Sequence, residues 1–211
     1  MSDRTLPAES PVIVVLAAGM GSRFGGSKQT TAVGANGESL LEYSVFDALE
    51  AGFRKVVFIV RSDFEQDFRQ AVANRLPDTI EVHCVCQDTA RISDQPADGR
   101  LWGTGHALLG AQPLLTDNFA VINADDYYGR DAYDVAFKLL TQRGGSGANS
   151  FFNIAYPLRE TLSPSGPVSR AVCETADGTL TGIQEHTRLQ REGDRVRSFG
   201  PEAGDTTIAT T

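Results

Sequence analysis

Two basic side chains stand among glycines in a stretch that follows the first apolar run of the chain. Residues 12–18 read VIVVLAA, which is typical of a buried strand in a parallel sheet. Glycines let backbone N–H groups approach an anion closely, and basic side chains add positive charge. The pattern predicts a phosphate-binding loop, with a glycine-rich turn carrying incidental basic residues as the simpler alternative. Its residues are Gly19, Gly21, Arg23, Gly25, Gly26 and Lys28.

Two common phosphate loops are excluded by one or two positions each. The dinucleotide fingerprint G-x-G-x-x-G requires its third glycine where Phe24 stands. The P-loop requires Gly-Lys followed by Ser or Thr, but Ser27 precedes Lys28 and Gln29 follows it. We therefore expect neither a Rossmann NAD site nor a P-loop.

What remains is a strand, then A-A-G-x-G-x-R, then Lys-Gln. This order resembles the signature loop of the sugar-1-phosphate nucleotidyltransferases, or nucleoside-diphosphate-sugar pyrophosphorylases, and most of all a bacterial group linked to surface polysaccharide. The resemblance implies that Arg23 stabilises charge on the departing phosphates and that Lys28 reaches the α-phosphate and the incoming phosphate. It also implies nucleotide contacts from Ala17, Ala18, Gly19, Gly21 and Ser22.

A second segment, LWGTGHAL at residues 101–108, begins an apolar helical pattern. Taken by itself, it predicts a helix capped by Thr104, with His106 packed against the sheet. It also resembles the G-T-[AG]-x-A segment of the same family, whose backbone borders the nucleobase, so Gly103 and Thr104 are expected to bind the nucleotide. Leu101 replaces the Gln with which several uridylyl and thymidylyl enzymes read the base, which leaves the nucleobase undefined.

A third segment, FAVINADDYYG at residues 119–129, predicts a strand that ends in paired acids. Carboxylates at the C-terminal edge of a parallel strand suit Mg²⁺ held jointly with phosphates. The alternative is that Asp125 or Asp126 caps the following helix. The family resemblance favours Asp125 as the metal ligand.

A hairpin is predicted around Asp177-Gly178 in the last part of the chain. In the family that the chain resembles, a strand of this region carries a Glu that hydrogen-bonds sugar hydroxyls, and Glu185 matches it. His186 replaces the Lys that usually follows this Glu. A solvent-facing strand residue without a sugar contact is the alternative for Glu185.

The elements that position these motifs alternate between strands and helices. Runs at residues 55–60 and 79–87 predict further strands, with helices over 38–51, from Ser62 to Leu76, and over 132–140. This alternation predicts an α/β fold with a doubly wound, mostly parallel sheet, and the resemblance implies a Rossmann-like, GT-A-type nucleotidyltransferase fold with a small β-hairpin region. Residues 150–156 predict one more core strand.

The domain organisation is expected to be a single nucleotidyltransferase domain over residues 1–211. Within it we expect a nucleotide-binding core, a set of sugar-binding strands and a polar tail, at residues 12–143, 150–190 and 191–211. Typical relatives continue with another strand that carries a second metal-binding acid, so the resemblance implies that the C-terminal part of the family fold is lacking.

The amino-acid composition excludes some classes of binding partner. A net charge of −8 argues against general nucleic-acid binding, which needs clustered positive charge. Three cysteines without zinc spacing and no apolar run long enough for a membrane span predict a cytoplasmic protein with no membrane partner. Homo-oligomerisation stays open.

The motifs together predict a Mg²⁺-dependent enzyme that joins a nucleoside triphosphate to a sugar-1-phosphate and releases pyrophosphate. Two alternatives remain. The compact GSRFGGSKQ is also similar to cytidylyltransferases that activate sugar-alcohol phosphates and to molybdenum-cofactor guanylyltransferases. The chain could also be a truncated, catalytically silent nucleotide-binding protein.

Overall fold

The computed structural model describes residues 10–18, 32–87, 103–116, 118–142, 150–199 and 206–208. The chain divides after Ser150 into two units, residues 1–150 and 151–211, and each contains its own sheet. The strands and helices of the first unit are β1 (Val12–Leu16), α1 (Leu40–Ala51), β2 (Lys55–Val60), α2 (Glu65–Ala71), β3 (Glu81–Cys86), α3 (Thr104–Ala111), β4 (Phe119–Asn123) and α4 (Arg130–Thr141).

The sheet of the first unit is parallel, with the strand order β3-β2-β1-β4. β1 occupies an inner position, where Val12 pairs with Lys55 of β2 and with Phe119 of β4. Val12, Val14 and Val15 have no exposed surface. A strand covered on both faces needs apolar side chains at every position, which explains why the sequence is apolar without alternation.

The direction of winding reverses at β1, because β2 and β3 extend the sheet on one side and β4 lies on the other. Phe58 of β2 contacts Phe68 of α2 edge to face, with ring centroids 5.0 Å apart. The opposite face of β2 carries Val57 and Ile59, which pack against α3. Helices therefore cover both faces, and the expected doubly wound α/β fold is confirmed.

Two helices show how local sequence sets their ends. Ser39 caps α1 through a capping box with Glu42, and Gly52 ends the helix at φ 118°. The expected helix start at Ser62 is wrong, because Arg61 and Asp63 pair across Ser62 in a turn and α2 begins at Glu65.

The second unit is an antiparallel sheet with the order β5-β6-β7-β8. The predicted hairpin is present, with its turn at Asp177 and Gly178, where φ is 49° and 75°. Such positive values at both central residues match the twist of the two strands. The strands are β5 (Val168–Ala176), β6 (Thr179–Glu192), β7 (Arg195–Ser198) and β8 (Thr206–Ile208).

Two segments near the unit boundary and the C-terminus differ from expectation. The core strand expected over residues 150–156 is wrong: this segment is neither helix nor strand, and Phe151 is 94% exposed. An apolar run needs a strand partner before it becomes a strand, and none of the described strands pairs with it. The expected polar tail, residues 191–211, contains β7 and β8, and Val196 of β7 is buried.

Candidate functional site

The carboxyl ends of β1 and β4 lie side by side where the winding reverses. The backbone N–H of Ala124 donates to the Leu16 carbonyl at 3.1 Å, one residue past the last register pair of the two strands. Ala17 donates to the Ile59 carbonyl at 2.8 Å, and Ala17 and Ala18 are both buried. Open α/β sheets bind their ligands in the crevice at such a switch point. Ala18 and Asp125 therefore follow neighbouring strand ends at the position where a ligand is expected.

The loop after β4 carries the two acids that the sequence analysis singled out. Both carboxylates are on exposed residues, and Asp126 Oδ2 accepts a hydrogen bond of 2.9 Å from Asn123 Nδ2. The carboxylate of Asp125 makes no hydrogen bond or ion pair with any described residue. Among the described residues no side chain caps α4, whose N-cap is Gly129 at φ 78°, so the alternative of a capping aspartate is wrong.

The amino terminus of α3 points to the same edge of the sheet. Lys55, the first residue of β2, donates from Nζ to the Leu114 carbonyl at 3.0 Å, which places the end of the α3 segment at the amino edge. The eight residues of α3 rise about 12 Å along the sheet. Gly103 and Thr104 therefore face the carboxyl edge. The helix cap is Gly103, so the expected cap at Thr104 is wrong; within the described chain no atom lies within 4 Å of a Cβ built on Gly103 or Gly105.

Two consecutive tyrosines in the loop after β4, which the sequence analysis overlooked, make hydrogen bonds of different length. Tyr128 Oη accepts a hydrogen bond of 3.0 Å from the Asn123 N–H. Tyr127 Oη donates to Asp47 Oδ2 at 3.4 Å, and the negative charge of Asp47 raises the pKa of Tyr127. The only signal in the sequence is that two tyrosines directly follow the acid pair; the structure leaves Tyr127 exposed and Tyr128 half-buried.

The predicted site is described in part. Gly19, Gly21, Ser22, Arg23 and Lys28 lie outside the described residues. The structure therefore brings together only the flanking parts of the predicted site, which are the end of β1, the start of α3 and the loop after β4.

Glu185 belongs to the second unit, where it lies on β6 opposite Ala171 of β5 and is exposed. The next residue, His186, is buried, and its Nδ1 is 2.9 Å from Ser198 Oγ of β7. The two neighbours therefore differ in environment: the carboxylate is available to a ligand, while the imidazole is part of the small core of this sheet.

A divalent cation needs oxygen ligands, which the described residues supply only in part. The described residues hold no group of three or more His, Cys, Asp and Glu side chains that could bind a metal by itself. Mg²⁺ is commonly held by one or two carboxylates together with substrate phosphates, and one unpaired carboxylate at the edge where open α/β sheets bind their ligands fits that mode. Asp125 is the residue in the described chain that meets this description.

A model of the MobA-like NTP transferase domain matches residues 13–142, which is more than half of the 211 residues. The chain belongs to the MobA-like NTP transferase domain family. The match runs from β1 to the residue after α4 and so contains all three motifs of the first unit. The nucleotidyltransferase resemblance is confirmed. No curated protein sequence matches the chain.

Three solved structures are similar to parts of this chain. UDP-glucose pyrophosphorylase from Acinetobacter baumanii is 23% identical over 55% of this chain and 46% of its own, with a TM-score of 0.38. Rv0371c from Mycobacterium tuberculosis H37Rv is 19% identical over 61% and 59%, with a TM-score of 0.42. A UDP-glucose pyrophosphorylase complexed with UDP-glucose is 20% identical over 62% and 53%, with a TM-score of 0.42. The chain thus spans between 46% and 59% of the length of these structures.

None of the helices in the described part of the chain has both the length and the apolar character that a membrane-spanning helix needs.

Proposed function

We propose that this protein joins a nucleoside triphosphate to a sugar-1-phosphate, with a divalent cation, Mg²⁺, and releases pyrophosphate. The observation that carries the proposal is the unpaired carboxylate of Asp125 at the switch point, beside the buried end of β1. Membership of an NTP transferase family supports a triphosphate as the first substrate. The sugar-1-phosphate is supported by the sequence resemblance and by the names of two of the similar solved structures.

The reaction needs positioning and charge neutralisation more than acid–base chemistry. An oxygen of the sugar-1-phosphate attacks the α-phosphorus and the bond to pyrophosphate breaks. The nucleophile is already an anion at neutral pH, so no general base is required. In this proposal Arg23 neutralises charge on the leaving phosphates and Lys28 contacts the α-phosphate. A bound Mg²⁺ supplies further charge neutralisation to the phosphates.

Binding of the nucleotide is assigned to backbone surfaces and small side chains. Gly19 and Gly21 let the backbone approach the triphosphate. Gly103 and Thr104 border the base in this proposal, and the open space beside Gly103 in the described chain is consistent with a flat ligand there. Glu185, exposed on β6, contacts sugar hydroxyls. The remaining contacts are assigned to Ala17, Ala18 and Ser22.

The test replaces the single carboxylate on which the proposal depends. Asp125→Asn keeps the shape of the side chain but removes its charge, and we expect a loss of pyrophosphate release of roughly 100-fold or more. Asp134→Asn on α4 is the matched control, because it makes the same change at an exposed residue outside the site. The assay pairs four nucleoside triphosphates with common hexose-1-phosphates. Equal turnover by the Asp125→Asn variant and the wild type contradicts the assignment.

A second candidate function is favoured by the family match. The MobA-like domain also fits a cytidylyl- or guanylyltransferase that acts on another phosphorylated small molecule. Pyrophosphate release from CTP or GTP with a sugar-alcohol phosphate, and none with any hexose-1-phosphate, supports this candidate. Triphosphate binding without any pyrophosphate release supports a catalytically silent binding protein.

A further inference from the structure

The last backbone N–H of β4 is bound by a side chain instead of a neighbouring strand. β4 lies at one edge of the described sheet, with β1 on its other side. The N–H of Ala124 points to β1, so the N–H of Asn123, one residue earlier, points outward. Tyr128 Oη accepts this outward N–H at 3.0 Å. The phenol therefore takes the place that a carbonyl of another strand would occupy and joins the loop to the strand end.

The ring that carries this hydroxyl is itself held in place. Tyr128 meets Tyr133 of α4 edge to face, with ring centroids 6.5 Å apart and an interplanar angle of 86°. Tyr133 is 2% exposed, so the contact ties Tyr128 to the core side of α4. A phenol hydroxyl on an anchored ring is a more rigid hydrogen-bond partner than one on a mobile side chain.

The same asparagine also orders the acid pair. Asn123 Nδ2 donates to Asp126 Oδ2 at 2.9 Å, so the backbone of Asn123 fixes Tyr128 and its side chain fixes Asp126. Residues 124–128, which we call the acidic loop, are thereby held to the end of β4 by two hydrogen bonds, both donated by Asn123. Asp125 lies between these two contacts, and its own carboxylate is left without a partner in the described chain.

We infer that Tyr128 is a positioning residue, which fixes the acidic loop so that the carboxylate of Asp125 is presented to a divalent cation bound with nucleotide phosphates. This inference rests on the proposed function. A cation shared with a mobile substrate is bound well only if the protein ligand is already in place, because otherwise binding must also order the loop. The hydroxyl of Tyr128 contributes that order without touching the cation.

Tyr128→Phe is the decisive variant, since it removes one oxygen and keeps the ring on Tyr133. Tyr127→Phe is the matched control: it makes the same change in the next residue, whose hydroxyl makes a longer contact of 3.4 Å to Asp47 and which is 59% exposed. Mn²⁺ binding is measured by water-proton relaxation in the presence of each of four nucleoside triphosphates. Amide hydrogen exchange at Asn123 is measured by NMR without ligands.

We expect Tyr128→Phe to weaken Mn²⁺ binding roughly 3- to 10-fold, the equivalent of one hydrogen bond, and to speed exchange of the Asn123 amide by a similar factor. Tyr127→Phe should change either quantity less than about twofold because its bond is long and exposed. The thermal midpoints of both variants are compared with that of the wild type, since a purely structural role would change the midpoint and leave the Mn²⁺ affinity unaltered.

Three outcomes overturn the inference: equal Mn²⁺ affinities of the two variants, an unchanged Asn123 exchange rate in Tyr128→Phe, or no Mn²⁺ binding by the wild type with any triphosphate. Failure of the proposed function gives a different result. Suppose that the wild type binds Mn²⁺ with a triphosphate and that Tyr128→Phe weakens this binding, but that no acceptor substrate leads to pyrophosphate release. The positioning role of Tyr128 is then supported, and the proposed reaction is contradicted.

Discussion

The strands of the two units differ in how much of their apolar surface is buried. In the first unit Val12, Val14 and Phe58 have no exposed surface, because helices cover both faces of the parallel sheet. In the second unit Leu180 and Ile183 of β6 are 42% and 56% exposed. Burial on both faces gives the parallel sheet a thick apolar core, and its polar chemistry is confined to the edge where the strands end.

The second unit has a much smaller core, and part of it is polar. Leu189 and Val196 are fully or nearly fully buried, and the His186–Ser198 pair lies beside them as a buried hydrogen bond. A sheet of this kind depends on its turn and its cross-strand pairs more than on apolar burial. The difference implies that changes to apolar strand residues destabilise the first unit strongly, where these residues are buried, and have small effects at the apolar positions of β6 that are exposed.

Removing one aromatic ring should show the difference in stability cost between the units most clearly. Phe58→Ala deletes a fully buried ring that packs on Phe68, and we expect a loss of about 3–5 kcal/mol in the free energy of unfolding of the first unit. Ile183→Ala on the exposed face of β6 is the comparison and should cost less than about 1 kcal/mol. Peptide-resolved hydrogen exchange reports each unit separately. A similar cost for both substitutions would contradict the contrast.

The same contrast explains which elements the sequence could predict. The run KVVFIV predicts β2 with its observed bounds, because a strand buried on both faces leaves an uninterrupted apolar signal. β7 reads RVRS, and only Val196 among its residues is apolar, so its pairing with β6 is a tertiary effect that local patterns do not record. Residues 150–156 show the converse, since their apolar signal is strong and no described strand pairs with them.

The sequence predicts the acidic residue of the candidate site better than the contacts that hold its loop in place. The place of Asp125 after a parallel strand follows from the sequence, because the carboxyl ends of such strands share one edge. The contact of Tyr128 with Asn123 does not follow, since it depends on the path of the loop after the strand. Likewise, the helix begins one residue earlier than a Thr104 cap would require: Thr104 is already helical, and the extended backbone of Gly103 occupies the cap position.

Alanine substitution of two glycines with positive φ should destabilise the first unit more than the second, as the core substitutions do. Gly52 ends α1 at φ 118°, and a Cβ built there lies 2.7 Å from the Phe137 ring. Gly52→Ala should therefore cost about 1–2 kcal/mol for the backbone and about 1–3 kcal/mol for crowding of the ring. Gly178→Ala in the hairpin turn carries only the backbone cost of about 1–2 kcal/mol, because no described atom lies within 4 Å of its Cβ.

Chemical denaturation of both glycine variants, followed by hydrogen exchange in each unit, gives the comparison. A second change tests the cause: Gly52→Ala should cost less in a Phe137→Leu background than in the wild type, because the smaller side chain makes room for the methyl group. An equal cost in both backgrounds would mean that the backbone conformation alone accounts for the cost of Gly52→Ala.

The smallest expected effect lies on the surface of the first unit and depends on pH. The Cys86 thiol donates to Glu65 Oε2 at 3.1 Å, and Arg69 donates to Oε1 at 2.9 Å. The thiol hydrogen bond is the larger cause, and the two contacts lower the pKa of Glu65 below its usual value. Because the folded-state pKa is the lower one, this contribution is complete above the unfolded-state pKa and is lost as the pH falls through the folded-state pKa.

Glu65→Gln tests this contribution, and we expect it to destabilise the first unit by about 0.3–0.5 kcal/mol at pH 7, as for an exposed pair four residues apart on a helix. The difference should shrink as the pH falls below about 4.5, where the unfolded-state carboxyl becomes protonated. Urea titrations of the wild type and the variant between pH 7 and pH 3 measure it. Glu192→Gln, which breaks the Glu192–Arg197 pair of the second unit, is the matched change there. A Glu65→Gln difference that stays constant across this range would show that the carboxylate charge contributes nothing and that only the shape of the side chain matters.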